Sequence, residues 1–177
     1  TTVTGALVVN TVNLTSTAAG TLSTGTGFTA NITGVASTLS GVISAGSLTK
    51  QGPGVLTLAA ANTYLGGTQH SGGIIDVTNS SGLSTSDFTF SGHNRLRMVV
   101  PDGTTWTVGN NFILPNTGAG GENELLRVGD GSPTAGTTLN LSGLVSGGAA
   151  GQTYTLVGFD QAGNHNNVLI LSNAPKS

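Results

Sequence analysis

The sequence predicts an all-β fold, a right-handed parallel β-helix (β-solenoid) of roughly seven to nine coils. Three observations lead there. Apolar residues alternate with Ser, Thr and Asn in short runs, and helical periodicity is hard to find anywhere. Twenty-nine glycines, with many asparagines, punctuate those runs as turn signals. Finally, the block GVLTL (Gly54 to Leu58) is answered nineteen residues later by GIIDV (Gly73 to Val77). That spacing is about one turn of a solenoid, and it sets Leu56 and Leu58 on the same face as Ile75 and Val77, so stacked coils bury a continuous aliphatic column.

Composition supports this reading. The chain of 177 residues, 36% of them hydrophobic, can build one domain with a sizeable core. Charged residues make up only 7% and the net charge is -2. A disordered chain lacks aliphatics and carries high net charge, which this one does not. A stack of coils explains the shortage, because equivalent positions lie about 4.8 Å apart and like charges there repel, whereas Thr, Ser and Asn stack freely. The absence of cysteine removes disulfides and thiolate metal sites. Five Lys and Arg spread over the length give no basic patch, so nucleic acid is not expected as a partner. No run approaches the roughly 20 apolar residues of a membrane helix, so membrane insertion is not expected.

In chain order the expected strands are Ala6 to Val9, Val12 to Thr15, Phe28 to Thr33, Ser37 to Ile43, Val55 to Leu58, Ile74 to Val77, Phe88 to Phe90, Leu96 to Val100, Thr105 to Val108, Phe112 to Leu114, Leu125 to Val128, Thr138 to Leu141, Thr153 to Val157 and Val168 to Leu171. Each is a short run rich in β-branched, aromatic or leucine residues between glycine or asparagine turns. A longer echo joins the two halves. TLSGVIS (Thr38 to Ser44) resembles NLSGLVS (Asn140 to Ser146), and VLTLAAAN (Val55 to Asn62) aligns with VLILSNAP (Val168 to Pro175). Residues 1–177 are therefore read as a single β-solenoid segment of a longer protein, with a partial second repeat over 138–177. At about 4.8 Å per coil the rod spans on the order of 35 to 45 Å. The right hand is adopted from the strong preference of parallel crossovers, and a flat β-sandwich is the structural rival.

The segment 46–77, GSLTKQGPGVLTLAAANTYLGGTQHSGGIIDV, resembles the passenger-associated β-strand repeat of bacterial autotransporters, approximately GxLTKxGxGxLxLxxxNTYxGGTxxxxGxLxV. It departs from that pattern at Ala59 to Ala61 and at Ile74-Ile75, neither of which threatens the fold. The resemblance implies a β-helical stalk on a secreted or surface-anchored protein, exported through an outer-membrane barrel and presenting adhesive regions or assisting folding during export. Residue by residue, Gly52, Gly54, Gly66, Gly67, Gly72 and Gly73 are expected where coils turn sharply or approach closely. Asn62 is expected in a left-handed conformation or in an amide ladder. Tyr64 is expected to pack its ring on the adjoining coil with a wet hydroxyl, and Lys50 to point outward as a solubilising charge.

Little else suggests chemistry. Glu122, Glu124, Arg127 and Asp130 fall within nine residues and form the one candidate ligand cluster, in which Glu122 and Glu124, if they share a strand face, could bind a hard cation or act as an acid/base pair on a glycan; a polar loop leading into a strand is the plainer reading. Arg95 and Arg97 share a strand face that is solvated or meets an anionic glycan. His70, His93 and His165 are expected at the surface, and Trp106 as a core or cap anchor. No catalytic, cofactor-binding or metal-binding residue is assigned, and no cofactor is expected. The expected function is a non-enzymatic extracellular or cell-surface module for adhesion, display or self-assembly, with open solenoid ends inviting self-association. Its alternatives are a glycan-binding or glycan-cleaving β-helix using residues 122–130 and, further off, an ice-binding threonine array, although motifs such as TTVT and TTWT do not recur at coil spacing. Surface glycans or neighbouring cells are the other partners considered.

Overall fold

The computed structural model describes residues 2–11, 13–16, 20–44, 46–92, 94–101, 103–114, 123–128, 136–148, 154–156 and 168–172. Every regular element among them is a strand, and every strand pairing is parallel. The chain winds as a β-solenoid with three faces. The first coil holds β1 (Thr2–Val3), β2 (Ala6–Thr11) and β3 (Thr15–Ser16). The second holds β4 (Thr21–Thr24), β5 (Gly27–Ile32) and β6 (Ser37–Leu39), and the third β7 (Val42–Ser44), β8 (Leu48–Gln51) and β9 (Val55–Leu58). The next two coils carry two strands each, β10 (Thr68–His70) with β11 (Ile74–Val77), then β12 (Phe88–Phe90) with β13 (Arg95–Met98). After them come β14 (Thr105–Val108), β15 (Phe112–Leu114) and β16 (Asn123–Val128), then β17 (Thr138–Leu141), β18 (Val145–Gly147) and β19 (Tyr154–Leu156), and last β20 (Val168–Leu171).

Two faces are unbroken ladders of seven strands, β2-β5-β8-β10-β12-β15-β18 and β3-β6-β9-β11-β13-β16-β19. The upper part of the expected range of coils is not reached among the described residues. The third face has three strands at each end, β1-β4-β7 and β14-β17-β20, and irregular backbone between them.

The nineteen-residue offset is realised as direct pairing. Leu56 lies opposite Ile75 and Leu58 opposite Val77, and the next coil adds Leu96 and Met98 to the two columns. All six are completely buried. On the neighbouring long face the inward column runs Phe28, Leu48, Thr68, Phe88 and Phe112. Phe88 and Phe112 meet with ring centroids 5.7 Å apart. Trp106 is buried opposite Leu139, as a core anchor should be.

The echo between the halves has a different meaning in space. TLSGVIS turns the corner from β6 on a long face to β7 on the interrupted face, whereas NLSGLVS turns from β17 on the interrupted face to β18 on the other long face. VLTL and VLIL likewise occupy a long face and the interrupted face. A strand, a Leu-Ser-Gly corner and a second strand suit any edge of the prism, so the same words recur one face out of phase. Strands β1, β4, β8, β10 and β18 lie outside the expected set; most are short and carry Thr, Lys, Gln or His where a strand signal needs aliphatics.

Candidate functional site: the polar interior of residues 46–98

The unusual chemistry of this solenoid is inside it. Strand β8 alternates Leu48 and Lys50 inward, and β10 alternates Thr68 and His70 inward, in register with each other. Lys50 and His70 are both completely buried. The expected outward lysine and surface histidine are thereby corrected, because strand parity, not charge, decides their direction.

Lys50 is tolerated because its three ammonium donors are all used. Nζ donates to the carbonyls of Gln51 at 2.7 Å, Gly52 at 2.9 Å and Gly72 at 3.0 Å. Gly72 belongs to the following coil, so the ammonium ties two coils together at their common corner. Burial pulls its pKa from 10.5 down to about 8, which still leaves it charged at neutral pH. The corner depends on glycine. Gly73 has φ +71°, and a Cβ there would lie 2.4 Å from the Gly54 carbonyl oxygen and 2.6 Å from that of Gly52.

His70 sits one coil further along the same column. Neither ring nitrogen has a hydrogen-bond partner among the described residues. Its ring meets Phe88 edge-on and Phe90 at a tilt, both with centroids 5.9 Å away. Burial, reinforced by the Lys50 charge, pulls its pKa from 6.5 down to about 3. The imidazole is neutral at physiological pH and behaves as an aromatic core residue.

Asn62 and Tyr64 fill the gap in the third face. Backbone Ile43 N–H, the edge of β7, donates to Asn62 Oδ1 at 2.8 Å, and Asn62 Nδ2 donates to the Gly82 carbonyl at 2.7 Å. One amide thus replaces two ladder bonds and spans three coils. The expected left-handed backbone is not observed at Asn62: Ser84, with φ 56°, is the non-glycine residue with positive φ among the described residues. Ser84 Oγ donates to the Tyr64 carbonyl at 2.6 Å, and Asn110 continues the bridge by donating to Leu83 O. Tyr64 is completely buried, with its hydroxyl 2.6 Å from Thr68 Oγ1. The expected wet hydroxyl is corrected, and burial raises its pKa well above the usual phenol range.

Outside, Arg97 donates through both Nε and Nη2 to the two carboxylate oxygens of Asp76 on the preceding coil. Opposite charges in register are the converse of the repulsion that keeps charge rare elsewhere. The 122–130 cluster is not assembled on view. Glu122 and Asp130 lie outside the described residues, as do His93 and His165. Glu124 and Arg127 are placed by backbone alone, opposite Thr155 and Arg97 respectively. No group of three or more metal-ligating side chains occurs among the described residues.

The corner glycines, the three-carbonyl lysine and the bridging asparagine coincide with one sequence pattern, and residues 48–77 match the family model of the passenger-associated-transport repeat. Residues 48–77 carry that repeat. No curated protein and no solved structure matches the chain. The repeat therefore spans β8 to β11; its Lys50 and Asn62 side chains join coils, and Tyr64 joins them through its carbonyl, which accepts from Ser84 Oγ, while its hydroxyl meets Thr68 within its own coil. The signal for the burial of Lys50 and His70 was available in the alternation Leu48-Thr-Lys50 and Thr68-Gln-His70. A repeat of this family within a β-solenoid fits an autotransporter passenger module and implies a cell-surface or secreted setting.

Proposed function

We propose that the chain acts without catalysis, as a stalk segment that carries other regions of its parent protein away from a cell surface for display or adhesion. One observation carries this reading: the buried side chains of Lys50 and Asn62 are engaged in bonds to the backbone of neighbouring coils, which ties the repeat into a continuous rod. Seven-strand ladders on two faces give that rod its stiffness.

The test is display. Placed between an export signal and an outer-membrane β-barrel, the native chain should carry an appended epitope to the cell surface in protease-resistant form. A Gly73→Val chain should not. Equal, protease-resistant display of both would overturn the role of the folded rod.

A second reading, self-association through the ends, has its own observation. In the first coil an apolar groove of about 300 Å³ opens between Leu7, Val9, Leu14 and Leu22, and on β20 the inward Leu171 is 37% exposed. Sedimentation velocity over a hundredfold concentration range tests it; a monomer throughout eliminates it.

A further inference from the structure

A groove crosses three coils on the outer side of the long face that contains β8, β10 and β12. Its volume is about 510 Å³, within the range of small-ligand sites. The floor is a column of side chains in register, Thr49, Gln69 and Thr89, one from each coil. One wall is the irregular backbone that replaces the third-face strand in two coils. It raises Leu65, 77% exposed, on one coil and Asp87 on the next. That wall is fastened by Ser86 Oγ donating to the Leu65 carbonyl at 2.7 Å and by Gly66 N–H donating to the Gly46 carbonyl at 2.8 Å.

The groove offers hydrogen-bonding groups without partners. Neither the Thr49 nor the Thr89 hydroxyl makes a side-chain hydrogen bond among the described residues. Gln69 uses Nε2 to reach Ser91 Oγ at 2.7 Å, which fixes the amide with Oε1 open. Asp87 accepts from Asn111 Nδ2 at Oδ1, 2.9 Å away, which orients its carboxylate with Oδ2 open. Hydroxyls, an amide and one carboxylate, with a single aliphatic side chain beside them, are the complement of sugar hydroxyls and of the C–H face of a sugar ring. They suit an apolar ligand poorly. A peptide would need a free strand edge, and this floor is the face of a fully paired ladder. With Asp87 as its only charged lining residue, the groove disfavours anionic chains.

The spacing adds a reason for a chain over a monosaccharide. Neighbouring strands lie about 4.7–4.9 Å apart, close to the length of one pyranose residue in an extended β-linked chain. A polysaccharide lying along the groove would therefore meet Thr49, Gln69 and Thr89 at successive rings. We propose that this groove binds an uncharged, extended oligosaccharide along the axis of the solenoid. The proposal does not depend on the passenger reading and uses none of the residues of the 122–130 cluster.

The experiment is calorimetric titration of the whole chain with β-1,4-linked glucose, xylose and N-acetylglucosamine oligomers of two to six residues, and with oligogalacturonate as the anionic arm. At least one neutral series should bind, and affinity should rise from two to three residues, as a three-coil floor requires. Gln69→Ala and Asp87→Ala should each weaken binding about tenfold, the effect of losing roughly 1.4 kcal/mol. Both side chains are exposed, so melting temperature should hardly change, and this control separates a lost site from a lost fold. No binding by any neutral series, tighter binding of oligogalacturonate, or binding untouched by both substitutions would each overturn the proposal.

Discussion

The first coil and the coils of residues 46–98 are built on the same alternation, yet they bury it differently. In the first coil the inward residues Leu7, Val9 and Leu14 are only half-buried, and outward Val8 is 56% exposed. In the later coils Leu48, Leu56, Leu58, Ile75, Val77, Leu96 and Met98 are completely buried. The difference lies in neighbours: a coil stacked on both sides closes its interior, and a coil stacked on one side leaves it ajar. Among the described residues, it is where the interior is closed that a lysine, a histidine, an asparagine and a tyrosine lie inside it. Two-sided stacking gives the lysine, the asparagine and the tyrosine fixed hydrogen-bond partners, and it packs the neutral histidine ring against phenylalanines.

The sharpest way to break the comparison is to add one side chain to each region. Gly73→Val forces a branched residue into φ +71° and a Cβ to within 2.4 Å of the Gly54 carbonyl oxygen. The expected loss is on the order of 4 kcal/mol or more, read as the absence of a folded baseline in urea. Gly5→Ala in the first coil meets nothing within 4 Å and should change stability by less than about 0.5 kcal/mol. Equal effects would mean that the coils do not differ in closure.

What the sequence disclosed, and what it withheld, follows the same line. The strands Val55–Leu58 and Ile74–Val77 were legible because aliphatics at alternate positions have no other economical use, and their pairing followed from a single offset. The strands Leu48–Gln51 and Thr68–His70 were missed, and with them the burial of Lys50 and His70. A residue scale reads lysine as outward, whereas the backbone phase set by Leu48 turns it inward, and only the three carbonyls at the coil corner make that direction affordable. Asn62 was marked as special by its place in the motif. Its role across three coils depends on a gap in the third face that no local pattern announces. The groove over Thr49, Gln69 and Thr89 was invisible for a similar reason, since its floor is assembled from residues about twenty apart that align only once register is known.

Lys50→Met comes next in size. The substitution keeps much of the side chain's volume but leaves the carbonyls of Gln51, Gly52 and Gly72 without their ammonium donor. A loss of about 3 kcal/mol is expected from urea denaturation. An outward, solubilising lysine would give less than about 0.5 kcal/mol, so a result in that range would return Lys50 to the surface.

A third test uses pH. His70 has a folded pKa near 3 against 6.5 for the ordinary side chain, so between those values the unfolded chain binds a proton that the native chain refuses. Stability on this account is full above about pH 6.5 and falls as pH drops towards 3, by at most about 1.4 kcal/mol per unit. The native-minus-variant difference against His70→Leu isolates this group, because the other histidines are common to both chains. Stability curves that stay parallel from pH 7 to pH 4.5 would show that His70 is not held neutral in the core.

The smallest effect separates the inside of these coils from their outside. Arg97 and Asp76 are joined by two charge-assisted hydrogen bonds, but they sit on the outer face with side-chain exposures of 26% and 15%. Solvent and salt screen such a pair, so Arg97→Ala should cost about 1 kcal/mol at low ionic strength and less in 1 M salt. Lys50→Met should show no comparable relief, because carbonyl partners in a closed corner lie beyond the reach of mobile ions. If the two variants share one salt dependence, the corner at Lys50 is open to solvent, and the contrast between closed and open coils fails at the point where it is most specific.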